Sequence, residues 1–223
     1  MYEKLEEYID DKYKEFSKSL IPNTKYTILG VKIPILRKMA KKISKGDYIK
    51  YISNNEHNFF EEVMIHGLII GYININIDDI IKLFKEYVPY IDNWSLCDST
   101  VNNLKIIYKY PSKGLSLVKW CLKHKKEYYK RTGYVLLLNY YINDLYIDII
   151  YELCDKYISN DYYVQMSVAW LLSECFYKYP DKTIDYLKQN KLDKWTHNKT
   201  IQKINESNKI SKDNKNNINI YKR

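Results

Sequence analysis

A chain of 223 residues is long for one compact domain and short for two, and its 46% hydrophobic and 28% charged residues exclude wholesale disorder. Only 6 Gly and 5 Pro are present, too few for the many turns of a sandwich or barrel, so the composition points to long helices joined by brief loops. A net charge of +9 suggests an anionic partner, nucleic acid first among the candidates. The 25 Tyr and the many Ile, Asn and Lys also fit the drift of an AT-rich genome. Only three of the 36 basic residues are Arg, namely Arg37, Arg131 and Arg223, and an Arg kept against that drift is expected to have a specific job.

Taken in chain order, the apolar residues Leu5, Tyr8, Ile9, Tyr13 and Phe16 recur at helical spacing from Tyr2 to about Leu20, which predicts one amphipathic helix. Its charged start lacks the apolar core of a leader peptide, and no run of about 18 apolar residues follows, so a soluble, cytoplasmic protein off the membrane is expected. The segment closes at Ile21-Pro22-Asn23. A turn through Ile28-Leu29-Gly30-Val31-Lys32-Ile33-Pro34 then feeds a helix to about Ser44, with Pro34 early, where its missing N–H costs nothing. Further periodic segments fall at roughly 47–53, 58–73, 78–90, 92–109, 112–124, 126–142, 144–158, 161–179, 181–190, 195–207 and 211–221.

These segments repeat. With Glu62, Asp98, Arg131 and Met166 as corresponding points on successive inner helices, the spacings are 36, 33 and 35 residues, the length of a two-helix unit with short loops. Such units stack into one continuous core whose inner helices line a concave face. The expected architecture is therefore all-α, a superhelical solenoid of antiparallel helix pairs. Nothing in the composition marks a linker, so one domain is expected over 1–207. The Asn/Lys-rich 208–223 follows it as a basic tail, either a loose closing helix or a frayed end.

The four cysteines (Cys97, Cys121, Cys154, Cys175) lie apart inside apolar helical patterns and read as reduced core residues. His57, His66, His124 and His197 never approach metal-ligand spacing, so no metal site is expected. Glu61 and Glu62 with His66 resemble an acid pair beside a base. Adjacent carboxylates point in different directions on a helix, however, which favours surface charge and a satisfied histidine. Ser95, Ser99 and Thr100 have no neighbouring His for a nucleophilic triad, and no Gly-rich phosphate loop occurs.

The most unusual string is Ile91-Asp92-Asn93-Trp94-Ser95-Leu96-Cys97-Asp98-Ser99. Trp94 and Asp98, four apart, share a helix face. The plain alternative is an N-cap at Asp92 or Asn93, a core Trp and a solvated Asp. Asp98 nevertheless sits in an apolar and small-residue stretch, and Arg131 is its counterpart one repeat later, a complementary charge for it. Trp170 follows in the same register; plain core packing is its alternative. One acid, one Arg and two indoles on a basic surface make a candidate site. Lys32, Lys105, Lys109, Lys125, Lys126 and Lys130 are candidate phosphate contacts, although a lysine is often only a solvated face residue.

The strings LGVKIP (29–34), DNWSLCDS (92–99), KRTGYVLLL (130–138) and the stretch 164–204 resemble the AlkD-type DNA alkylation repair family over about residues 26–207. The resemblance implies a superhelix of HEAT-like repeats and a DNA glycosylase, working without a cofactor, that removes purines alkylated at N3 or N7, such as 3-methyladenine and 7-methylguanine. It places the catalytic acid on Asp98, the sugar-facing indoles on Trp94 and Trp170, and the active-site guanidinium on Arg131. The expected partner is double-stranded DNA containing alkylated purines, bound by a monomer through its backbone with the base left stacked. Asn93, Lys32 and Met166 depart from the family pattern, which bears on substrate range and DNA affinity. The competing reading is a helical-repeat scaffold that binds nucleic acid or protein and catalyses nothing.

Overall fold

The computed structural model describes residues 5–223, and all of its regular structure is helical apart from one isolated bridge between Thr27 and Phe59. The start of the first expected helix, residues 2–4, lies outside the described residues. In chain order the α-helices are α1 (Asp11–Leu20), α2 (Ile33–Ile43), α3 (Tyr48–Ser53), α4 (Phe60–Ile70), α5 (Ile77–Tyr87), α6 (Trp94–Val101), α7 (Pro111–Lys123), α8 (Glu127–Tyr140), α9 (Ile147–Lys156), α10 (Tyr162–Lys178), α11 (Pro180–Gln189), α12 (Lys194–Glu206) and α13 (Lys212–Asn219). Short 3-10 turns cover Val88–Tyr90 and Lys105–Tyr108.

The chain divides into two compact units, residues 1–117 and 118–223. In the first, α4 packs against α2 on one side and α6 on the other, with α3 and α5 also against it. In the second, α10 packs against α8 and α12, with α11 on α10 and α13 on α12. Each unit thus stacks alternate helices, as in a helical-repeat solenoid. Composition explains which helices are central. In α4, ten of eleven residues are buried, because a helix with neighbours on several sides must be apolar nearly all round. The amphipathic α5 buries only Ile77, Ile80, Phe84 and Tyr87.

The expected repeat of 33–36 residues is written into the hydrogen bonds. Asn103 Nδ2 reaches the Leu68 carbonyl 35 residues back, and Lys113 reaches Asp78 across the same interval. In the second unit Lys182 bonds Asp148 over 34 residues and Lys209 bonds Glu174 over 35. Like positions of neighbouring repeats therefore lie side by side.

Two expected helices are interrupted. Leu5 and Glu6 are helical, a turn follows at Glu7 and Tyr8, and Asp10 then caps α1 by accepting the Tyr13 N–H, so the expected helix is broken before Asp11. The stretch 92–109 breaks after Val101, where Asn103 is drawn off the helix to close the end of α4. The tail takes the closing-helix alternative. Ile218 of α13 is fully buried, His197 Nε2 lies 2.8 Å from the Tyr221 carbonyl, and Arg223 donates to the carbonyls of Leu192 and Asn190. All four cysteines are free and buried, as their apolar settings predict.

Candidate active site

Helix α6 begins at Trp94 because Asn93 is a strong cap. Its backbone is extended and its side-chain oxygen accepts the Leu96 N–H at 3.0 Å, the standard satisfaction of an orphan helix donor. Asn93 is 3% exposed, and its amide nitrogen also donates to Asp92 at 2.7 Å and to the Thr24 hydroxyl at 3.3 Å. Asp92 in turn accepts the Thr24 hydroxyl and, at 2.7 Å, the Lys25 N–H. The Tyr26 hydroxyl donates to the Tyr90 carbonyl at 2.7 Å, and Trp94 Nε1 donates to the Leu20 carbonyl at 3.0 Å. Residues 20–26 thereby latch the N-terminal end of α6, and two of these bonds gain strength from the Asp92 charge.

Trp94 and Asp98 lie one turn apart on α6, and both are half-buried. The indole is therefore not a core residue, and the carboxylate is not on an open face. Arg37 of α2 reaches the same helix, with Nη2 3.4 Å from the Ser99 carbonyl. Sequence reasoning passed over Arg37, although its signal was available: it is one of only three arginines. Of the two N-caps the sequence offered, Asp92 and Asn93, it is Asn93 that fixes where the helix starts.

Glu61 corrects an expectation. It is 1% exposed rather than surface charge, and its carboxylate accepts the N–H groups of Leu29, Gly30 and Val31 at 3.1, 2.8 and 3.2 Å. Consecutive amides turned around a left-handed glycine form an anion-binding concavity, and Gly30 has φ +100°. Burial pushes the Glu61 pKa up, while the three amides pull it back. The partner lies 30 residues away, which is why the local sequence suggests only a solvated acid pair. This bond fixes the loop that opens α2. Glu62 closes the start of α4 by accepting the N–H groups of Asn58 and Phe59. His66 is satisfied as expected, with Nδ1 2.8 Å from Nε2 of His57.

In the second unit Arg131 is 5% exposed. Its Nη1 donates to the Tyr163 carbonyl at 2.9 Å, while the Tyr163 N–H donates to Glu127 at 2.8 Å. One residue of α10 is thus gripped, at its N–H by an acid and at its carbonyl by a guanidinium of α8. Arg131 has a structural task here beyond the active-site role expected of it. Trp170 is half-buried on α10, one turn beyond Met166. The structure thus joins Trp94 and Asp98 on one helix of the first unit, and sets Arg131 and Trp170 on the packed pair α8 and α10 of the second.

The six expected lysines differ. Lys105, Lys109, Lys125 and Lys126 are exposed. Lys130 is half-buried, with Nζ 3.4 Å from the Ile158 carbonyl. Lys32 forms an ion pair with Asp10 at 2.8 Å, so a phosphate there must compete with a carboxylate. Among the described residues no group of three His, Cys, Asp or Glu side chains is placed to hold a metal ion, and no helix is long and apolar enough to cross a membrane.

A family model described as DNA alkylation repair enzyme matches residues 1–204. No curated protein matches the chain.

Proposed function

Because the chain belongs to the family of DNA alkylation repair enzymes, and so acts in the repair of alkylated DNA, we propose that it is a monofunctional glycosylase for purines alkylated at N3 or N7. Such a purine is a cation and already a good leaving group, so the paired acid and base of ordinary glycosidases are unnecessary. The bond from C1′ to the purine nitrogen breaks, its electron pair neutralises the departing base, and positive charge develops on the deoxyribose. Water adds to C1′, its proton is lost to solvent, and an abasic site and a free alkylpurine remain.

Asp98 stabilises the developing charge and orients the water, as an anion placed where charge appears only in the transition state. The indoles of Trp94, in the first unit, and of Trp170, in the second, each have an electron-rich face suited to a cationic sugar. Arg131 contacts a backbone phosphate, and the exposed lysines supply the general attraction to DNA. The observation that carries the reading is the Trp94–Asp98 face of α6. It is half-buried, and its indole is tied to the Leu20 carbonyl at 3.0 Å, an anchored acid and ring of the kind this chemistry needs.

The test is release of methylated purine from alkylated duplex DNA. The natural protein is expected to release it, and Asp98→Asn to be slower by at least about 10²-fold, the scale of losing a preorganised electrostatic group. No release by the natural protein, or equal release by the variant, overturns the proposal in favour of a non-catalytic scaffold. DNA affinity should also fall steeply between low and moderate salt, as expected for binding through several phosphates; a flat dependence would point to a protein partner.

A further inference from the structure

The second unit carries a row of rings that the proposed chemistry does not use. The first turns of α8, α10 and α12 meet along one edge. Tyr128 lies 5.5 Å from Tyr163 between centroids, Tyr163 lies 5.2 Å from Tyr162, and Tyr162 lies 5.7 Å from Trp195. The ammonium of Lys199 sits 5.2 Å over the Trp195 ring. Tyr162 and Trp195 are 52% and 39% exposed, although the buried Val164 and Thr196 lie within two residues of them. These helices thus bury one side of their first turns and present rings in contact on the other.

The charge beside the row is selective. The exposed Lys126 and Lys194, the half-buried Lys130 and Lys199, and three helix N-termini all contribute positive potential, the last through their aligned amides. The acids of the same edge already hold donors from the fold. Glu127 accepts the Tyr163 N–H, Asp161 the Ser159 hydroxyl, and Asp193 both the N–H and the hydroxyl of Thr196. Asp161 is itself exposed, so what faces solvent is aromatic with an excess of cations, four lysines against three acids.

We propose that this row is a stacking platform for an unpaired stretch of nucleic acid, held by its bases on Tyr162 and Trp195 and by its phosphates on the neighbouring lysines. Every base has a π face, so stacking on exposed rings is tolerant of sequence, and lysines beside the rings follow the backbone. Paired bases in an intact duplex keep their faces stacked on one another and do not offer them to a ring. The proposal is independent of the glycosylase reading, since it concerns undamaged DNA.

The test uses the full chain and a labelled, unmodified oligothymidylate, with binding followed by fluorescence anisotropy. Saturable binding is expected, weakened roughly tenfold by Trp195→Ala and to a similar degree by Tyr162→Ala, the loss of one stacked base each. Trp195→Phe, which keeps a ring, should retain most of the affinity. A deoxyribose-phosphate oligomer without bases should bind markedly more weakly. Absence of binding, equal binding of the baseless oligomer, or an affinity indifferent to Trp195→Ala would each overturn the platform, the last two by assigning the attraction to lysines alone.

Discussion

Helices α6 and α8 carry two of the proposed site residues, Asp98 and Arg131, and they are held in place by different means. α6 is only eight residues long and buries four of them, Leu96, Cys97, Thr100 and Val101. Its start is fixed by side-chain hydrogen bonds from Asn93, Asp92 and Trp94 to residues 20–25. α8 has fourteen residues and buries nine, with Val135, Leu136 and Leu137 at its centre. Its polar grip on Tyr163 is an addition to an apolar interface. A helix placed by packing resists local change, whereas one placed by a few directional bonds transmits their loss to the residue one turn later. The acid thus stands on the element whose position is easier to alter.

The largest expected effect tests the packing side of this contrast. A Cβ on Gly67 would lie 2.4 Å from Thr100 Cγ2 and 2.5 Å from the Tyr87 ring, so Gly67→Ala forces α4 apart from α5 and α6. The expected cost is about 1–3 kcal/mol, typical of overpacking. Gly133 meets mainly the flexible end of Leu122, at 2.8 Å, and Gly133→Ala should cost less. Thermal or denaturant unfolding of both variants measures this, and an inverted order would show that the first unit is the more yielding.

Next comes Asn93→Ala, which removes the α6 cap and the amide bonds to Asp92 and Thr24. A loss of roughly 1–2 kcal/mol is expected from the cap, together with a fall in the rate of alkylpurine release. A variant that loses the stability and keeps the full rate would separate the latch from the placement of Asp98.

The effect that is smallest at neutral pH, and grows only in acid, concerns the histidine pair beside α4. Burial holds His66 far below the ordinary imidazole value of 6.5, at about 3, and lowers His57 as well. As pH falls below 6.5 the unfolded chain takes up protons that the folded chain refuses. Stability therefore declines from about pH 6.5 towards pH 3 and is unaffected by this pair above that window. For His66 the slope is at most about 1.4 kcal/mol per pH unit. Unfolding measured across that range should show it, and His66→Asn should flatten it; an unchanged slope would assign the acid sensitivity elsewhere.

Much of the fold was legible in the sequence because helical periodicity and the shortage of Gly and Pro are local properties. The 33–36 residue spacing was visible for the same reason, since each inner helix repeats one pattern of small and large apolar residues. Trp94 and Asp98 were legible because four residues separate them. Glu61 was misjudged because its three amide partners lie about 30 residues away, and the Asp92–Thr24 bond spans 68 residues.

By itself the sequence determined the all-helical class, the repeat, the buried cysteines and the pairing of an indole with an acid on one helix face, since all of these follow from spacing along a regular helix. Only the tertiary structure decided that Asn93 and residues 20–26 anchor that helix, that Arg131 and Glu127 grip Tyr163, and that Tyr162 and Trp195 touch at an exposed edge. Those relations join residues in different helices and loops. Hydrogen bonding and ring contact depend on distance in space, which a linear pattern does not encode.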